Sequence, residues 1–240
     1  MQEMGPGTDA EGGPGAQETG PGQEALRTPR AAGLAGVVFA LLLAAAIVLV
    51  RLGIPEGADA VTAHGFTDSA RRQALRTALA LVPFAGIFFL WFIGAIRAHV
   101  GAGEDKFLAT VFLGSGLVFT ATLFAAAAAA SAVLVVAHPA GVSPLPATWD
   151  FGRHLAYTLM TEYAMRMAAV FVSSMSVIGH RLGVLPRWLT VLGLLTALTL
   201  LFASSNVPWA ELVFPAWSLL LSVHILVTGR RDGPRPAGAG

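Results

Sequence analysis

The amino-acid sequence contains no cysteine. That excludes disulfides, thiolate metal sites, iron–sulfur clusters and cysteine nucleophiles together. Charge is the second scarcity. Asp, Glu, Lys and Arg make up 12% of the chain, against about a quarter in a soluble domain. Lys106 is the only lysine, while Ala, Gly, Arg and Pro are abundant; all four have GC-rich codons, which points to a high-GC bacterial genome. The formal net charge of +1 gives no reason to expect a nucleic-acid partner. Also missing are a His-Glu-x-x-His helix, a Gly-x-Ser-x-Gly elbow and a phosphate-binding loop. No catalytic residue is nominated and no cofactor is called for, so an enzyme is the less favoured class.

What is present is apolar: 55% of residues are hydrophobic and the mean hydropathy is +0.69. Long uncharged runs alternate with short segments that hold most of the acids and bases. Several runs are about 20 residues long, the length that carries a helix across a bilayer core. The pattern predicts an all-α polytopic membrane bundle of about six transmembrane helices, at 31–50, 77–96, 107–136, 155–178, 188–203 and 209–227. The second helix is expected to start before its span and run through Arg71, Arg72 and Arg76. Residues 1–30 are rich in Gly and Pro and show no periodicity, which predicts a disordered tail; residues 230–240 form a short second tail. Ala32, Gly36, Ala40 and Ala44 recur every four residues in the first span. They are either a stripe for close helix packing or part of a lipid-facing surface.

Basic residues set the expected orientation. With the N-terminus inside, the inner segments hold Arg27, Arg30, Arg97, Lys106, Arg181, Arg187, Arg230, Arg231 and Arg235, and the outer ones hold Arg51, Arg71, Arg72, Arg76 and Arg153. The balance places both termini in the cytoplasm and the chain in the bacterial inner membrane. The first outer loop, with four arginines, dissents.

The fourth span carries Glu162 and Arg166 near its middle. A charge at that depth costs about 2.5–3.5 kcal/mol on insertion scales, so it is expected to face protein or water rather than lipid. The i, i+4 spacing with the acid first favours a same-helix pair, so a structural ion pair and a substrate or ion site both stand. His154, Thr158, Glu162, Arg166, Ser173, Ser176 and His180 share one sector of an ideal helix, while Met160, Met167, Phe171 and Ile178 lie opposite. The polar stripe is expected to face the bundle interior and the Met/Phe stripe lipid. In the last span Glu211, Pro215, Ser218 and Ser222 share a face. Packing of the two spans would join Glu211, Glu162 and Arg166 in one buried charge cluster. Against this, Glu211 suits the first turn of any helix, and the serines suit bonds to their own helices. His180 and His224 lie toward the same side of the membrane and are the pair to weigh for haem or metal.

These features support a membrane protein whose partners are the bilayer and a second copy or another membrane protein. Its role would be a permease-like small-molecule or ion pathway, or a membrane partner subunit, using the polar stripe. An intramembrane redox subunit or other enzyme, and a passive structural module, are the alternatives. The segments Phe89-Leu90-Trp91-Phe92-Ile93-Gly94 and Glu104-Asp105-Lys106-Phe107-Leu108-Ala109-Thr110-Val111-Phe112, with the final span's Glu211 and Pro215-Ala216-Trp217, carry a likeness. On them the chain resembles the uncharacterised six-span integral membrane proteins common in actinobacteria, over most of residues 31–230. The resemblance implies the fold and implies no activity or catalytic residue.

Overall fold

A computed structural model describes residues 29–54, 69–100, 106–136, 146–204 and 207–228. The predicted N- and C-terminal tails lie almost wholly outside the described residues, as do the loop residues His64, Glu104, Asp105, His138 and Asn206. The fold is all-α. Helix α1 is Pro29–Gly53, α2 is Ser69–Val100, α3 is Lys106–Val136 and α4 is Pro146–Tyr157. A π-helical segment, Thr158–Ala164, joins α4 to α5, Met165–Arg181. Helix α6 is Arg187–Phe202, and a short 3₁₀ turn, Ala210–Leu212, leads into α7, Val213–Thr228.

Among the described residues, four helices are long and apolar enough to cross a membrane: Ala31–Gly53, Ser69–Arg97, Lys106–Leu134 and Ala210–Thr228. Helix α6 is apolar but only 16 residues long, about 24 Å at 1.5 Å per residue. Each start has a local cause. Pro146 opens α4, because proline lacks an N–H that the first turn would leave unbonded. Pro186 stands in extended backbone immediately before α6 and does the same work. Pro83 lies inside α2 on an exposed face. Gly183, with φ +68°, makes the tight turn between α5 and α6, a conformation that an L side chain would resist.

Helix α1 packs mainly on α2 and α7, α3 on α2, α4 and α5, and α5 on α6. The centre is aromatic. Phe39 of α1, Phe89 of α2, Phe119 and Phe112 of α3, Phe171 of α5 and Phe214 of α7 are buried together. Their ring centroids lie 4.5 Å apart for Phe39–Phe89, 5.1 Å for Phe89–Phe119 and 4.8 Å for Phe112–Phe171. Five helices thus each send phenylalanine to one cluster, with separations in the range of aromatic contacts.

The small-residue stripe of α1 is a packing surface. Ala32, Gly36 and Ala40 are buried, and a Cβ on Gly36 would collide with the Ser222 hydroxyl and the Phe92 ring. A Cβ on Gly33 would meet Leu226 and, at 3.0 Å, the Ser222 carbonyl. The early turns of α1 therefore touch the late turns of α7. The two helices are antiparallel, and the start of α1 lies at the same end of the bundle as the end of α7.

The Met/Phe face of the fourth predicted span does not face lipid. Met160, Phe171 and Ile178 are 5%, 0% and 3% exposed, and Met167 packs partly buried against the core. The π segment explains the change of face. Its i→i+5 bonding adds a residue to the α register, which rotates α5 by about 100° relative to α4. One ideal helical sector therefore does not describe residues 154–180. The π segment is held from outside: Thr161 Oγ1 donates to the Tyr157 carbonyl at 2.9 Å, and Ser204 Oγ, just past α6, donates to the Thr161 carbonyl at 2.8 Å.

Candidate functional site

Glu162 sits in the π segment and Arg166 in the first turn of α5. Arg166 Nη1 donates to Glu162 Oε2 at 2.8 Å. The spacing thus produces the same-helix pair. Its position is not the bundle interior, because the two side chains are 40% and 41% exposed. A core filled by phenylalanine leaves no polar wall to receive two charges, so the pair stays on the outer surface. Thr158 and Ser173 are half-buried along the same rod, and Tyr163 beside the pair is exposed. Ser173 Oγ donates to the Val170 carbonyl of its own helix.

Phe171 lies in the central aromatic cluster, five residues beyond Arg166 and nine beyond Glu162. At the α-helical rise the pair is about 8–14 Å along the rod from that residue.

Glu211 joins a different partner. Arg51 Nη2 donates to Glu211 Oε1 at 2.6 Å, with the two side chains 9% and 0% exposed. The predicted cluster of Glu211 with Glu162 and Arg166 is therefore replaced by two separate pairs. The reason is the antiparallel α1–α7 contact. It brings the last turn of α1 to the start of α7, and the 3₁₀ turn carries Glu211 inward beneath it. Trp209 completes the arrangement. It has φ 69°, a left-handed conformation uncommon outside glycine, and its ring lies 5.4 Å from the Arg51 guanidinium carbon, within cation–π range. Arg51 and Trp209 went unrecognised in the sequence as partners of Glu211. The available signal was an arginine closing one apolar span and an acid opening another.

The buried serines separate by role. Ser222 Oγ donates to the Ser218 carbonyl at 2.7 Å, as a helical serine commonly does. Ser176 and Ser218 are fully buried and their hydroxyls bond to nothing among the described residues; the Trp217 indole N–H is in the same state. A Cβ on Gly193 would collide with the Ser176 hydroxyl and lie 2.9 Å from Trp217 Nε1. That puts α5, α6 and α7 in close contact at one point. His180 is exposed at the end of α5 and His224 half-buried on α7. Among the described residues no group of three or more His, Asp or Glu is placed to hold a metal ion.

Comparison with family models, curated proteins and solved structures gives no match. The assignment as a polytopic all-α membrane protein stands on its helices, and the functional reading on the two ion pairs.

Proposed function

We propose that this protein is a non-enzymatic membrane partner subunit that assembles with a second copy of itself through the face bearing Glu162 and Arg166. The observation that carries the reading is the pair's exposure: about two-fifths of each side chain is uncovered, on a face that this reading places within the bilayer. Hydrocarbon cannot solvate that surface. A neighbouring protein can, and a patch with one acid and one base is self-complementary, as an isologous interface needs. Thr158 and exposed Tyr163 add hydroxyls that can bond across such a contact. A solute pathway through the bundle is less well supported, since buried phenylalanine rings occupy the space between its helices.

In this reading both termini are cytoplasmic. Arg51, one of the dissenting outer arginines, is neutralised by Glu211, which weakens the objection raised by the first loop.

The absence of native cysteine makes the test direct. Tyr163→Cys should form a cross-linked dimer in native membranes with a short bifunctional maleimide, and adding Glu162→Gln with Arg166→Gln should remove most of it. Cross-linking that persists undiminished in the triple variant, or monomer alone in the single one, rejects the interface.

A further inference from the structure

The rod made by α4, the π segment and α5 carries a ridge of polar side chains four residues apart: Asp150, His154, Thr158, Glu162 and Arg166. In an unbroken α-helix such a ridge drifts about 40° round the axis at each step. The π segment turns less per residue, which undoes part of the drift and keeps the ridge on one side of the rod. Exposure agrees with this. The side chains of Asp150, Glu162 and Arg166 are 41%, 40% and 41% exposed, while His154 is exposed and Thr158 half-buried. Ala156, Met160 and Ala164 between them are buried. The face proposed above as the contact with a second copy therefore continues past Glu162 to the first turns of α4.

Two metal-ligating side chains stand at the head of this ridge. Asp150 and His154 are spaced i, i+4, the separation at which two side chains of one helix reach a single ion. His154 makes no hydrogen bond or ion pair among the described residues. The contact of Arg153 Nη2 with Asp150 Oδ1 is long, 3.4 Å, and lies within α4, so a metal ion can displace it without opening the bundle. One chain supplies too few ligands, since no group of three or more His, Asp or Glu is placed to hold a metal among the described residues. Zinc takes four ligands in structural sites.

A second copy supplies the rest. Both copies of a membrane dimer keep one orientation in the bilayer, so the two-fold axis runs along the membrane normal and each residue of the contact face meets its counterpart at equal depth. Two such rods packed about 8–10 Å apart bring two Asp150–His154 pairs together. We infer that the second copy completes a zinc site at the head of the ridge, with two imidazole nitrogens and two carboxylate oxygens as ligands. Nitrogen and oxygen donors in this number suit tetrahedral zinc. The inference rests on the dimer reading above and adds to it a ligand that tightens the contact.

The test is titration of the full chain in mild detergent, carrying no histidine tag, with zinc chloride, while light scattering follows its mass. The chain has no thiol to compete for the ion. Zinc is expected to lower the dimer dissociation constant by about tenfold or more, as a ligand coupled to assembly does, to bind as one ion per two chains, and to lose its effect on adding EDTA. His154→Gln and Asp150→Asn should each abolish the zinc effect and leave the zinc-free dimer as it is in the wild type. A dimer indifferent to zinc overturns this inference and leaves the dimer reading standing, as does one ion per chain or a zinc effect that survives in both variants. A chain that stays monomeric with and without zinc overturns both.

Discussion

At residue scale the most consequential contact is the one between Arg51 and Glu211. Two charges have left water and found each other at 2.6 Å, with the carboxylate wholly buried. Removing one partner strands the other, and a stranded buried charge costs about 3–5 kcal/mol. Replacing both with apolar side chains removes the desolvation penalty along with the attraction and is often neutral or better. Glu211→Ala should therefore destabilise the protein by about 3–5 kcal/mol in unfolding from micelles, whereas Arg51→Met with Glu211→Leu should stay within about 1 kcal/mol of wild type. If the double variant is as unstable as the single one, the pair is not the source of the cost. Arg51 looked like a loop cation in the sequence because it closes an apolar run. Its partner is 160 residues away, and only the antiparallel meeting of α1 and α7 reveals it.

At the scale of elements, glycine reports how closely helices approach. Gly36 and Gly94 both lie inside long helices, yet a Cβ on Gly36 would strike Ser222 and Phe92, while one on Gly94 would meet nothing within 4 Å. Gly36→Ala should cost about 1–3 kcal/mol through overpacking; Gly94→Ala should gain about 0.5–1 kcal/mol from helix propensity alone. Gly193→Ala should also destabilise the fold, and Ser176→Ala should recover part of the loss, because the obstructing Ser176 hydroxyl bonds to nothing there. Thermal unfolding of the four variants checks all three statements. The small-residue stripe was legible because its period matches the helix. The course of the fourth predicted span was not, because seven residues in π register shift the faces of everything after them. Thr161 and Ser204 hold that segment, and only one of them belongs to it. The Glu162–Arg166 pair survived the shift since it depends on local spacing; its orientation did not, since that depends on what fills the core.

At the scale of the whole molecule, the open quantity is which end of the bundle meets the cytoplasm. The start of α1 and the end of α7 share one end, and the α5–α6 turn lies there too, because α5 runs away from the end where α4 begins. The N-terminus of α2 lies at the opposite end, beside Arg51. Basic residues favour the termini inside, and the strongest counterweight was the first outer loop. Arg51 leaves that count once Glu211 neutralises it. Ser69 and Val184 are both exposed, one at each end, and no native thiol competes with an introduced one. A membrane-impermeant maleimide added to intact cells should label Ser69→Cys and leave Val184→Cys unlabelled until the membrane is opened. The reverse pattern would place the termini outside and put the dissenting arginines in the cytoplasm, where the anionic leaflet would hold Arg71, Arg72 and Arg76 directly. The orientation thus rests on whether cations that already have protein partners still count toward topology. A single labelling experiment on this cysteine-free chain answers that.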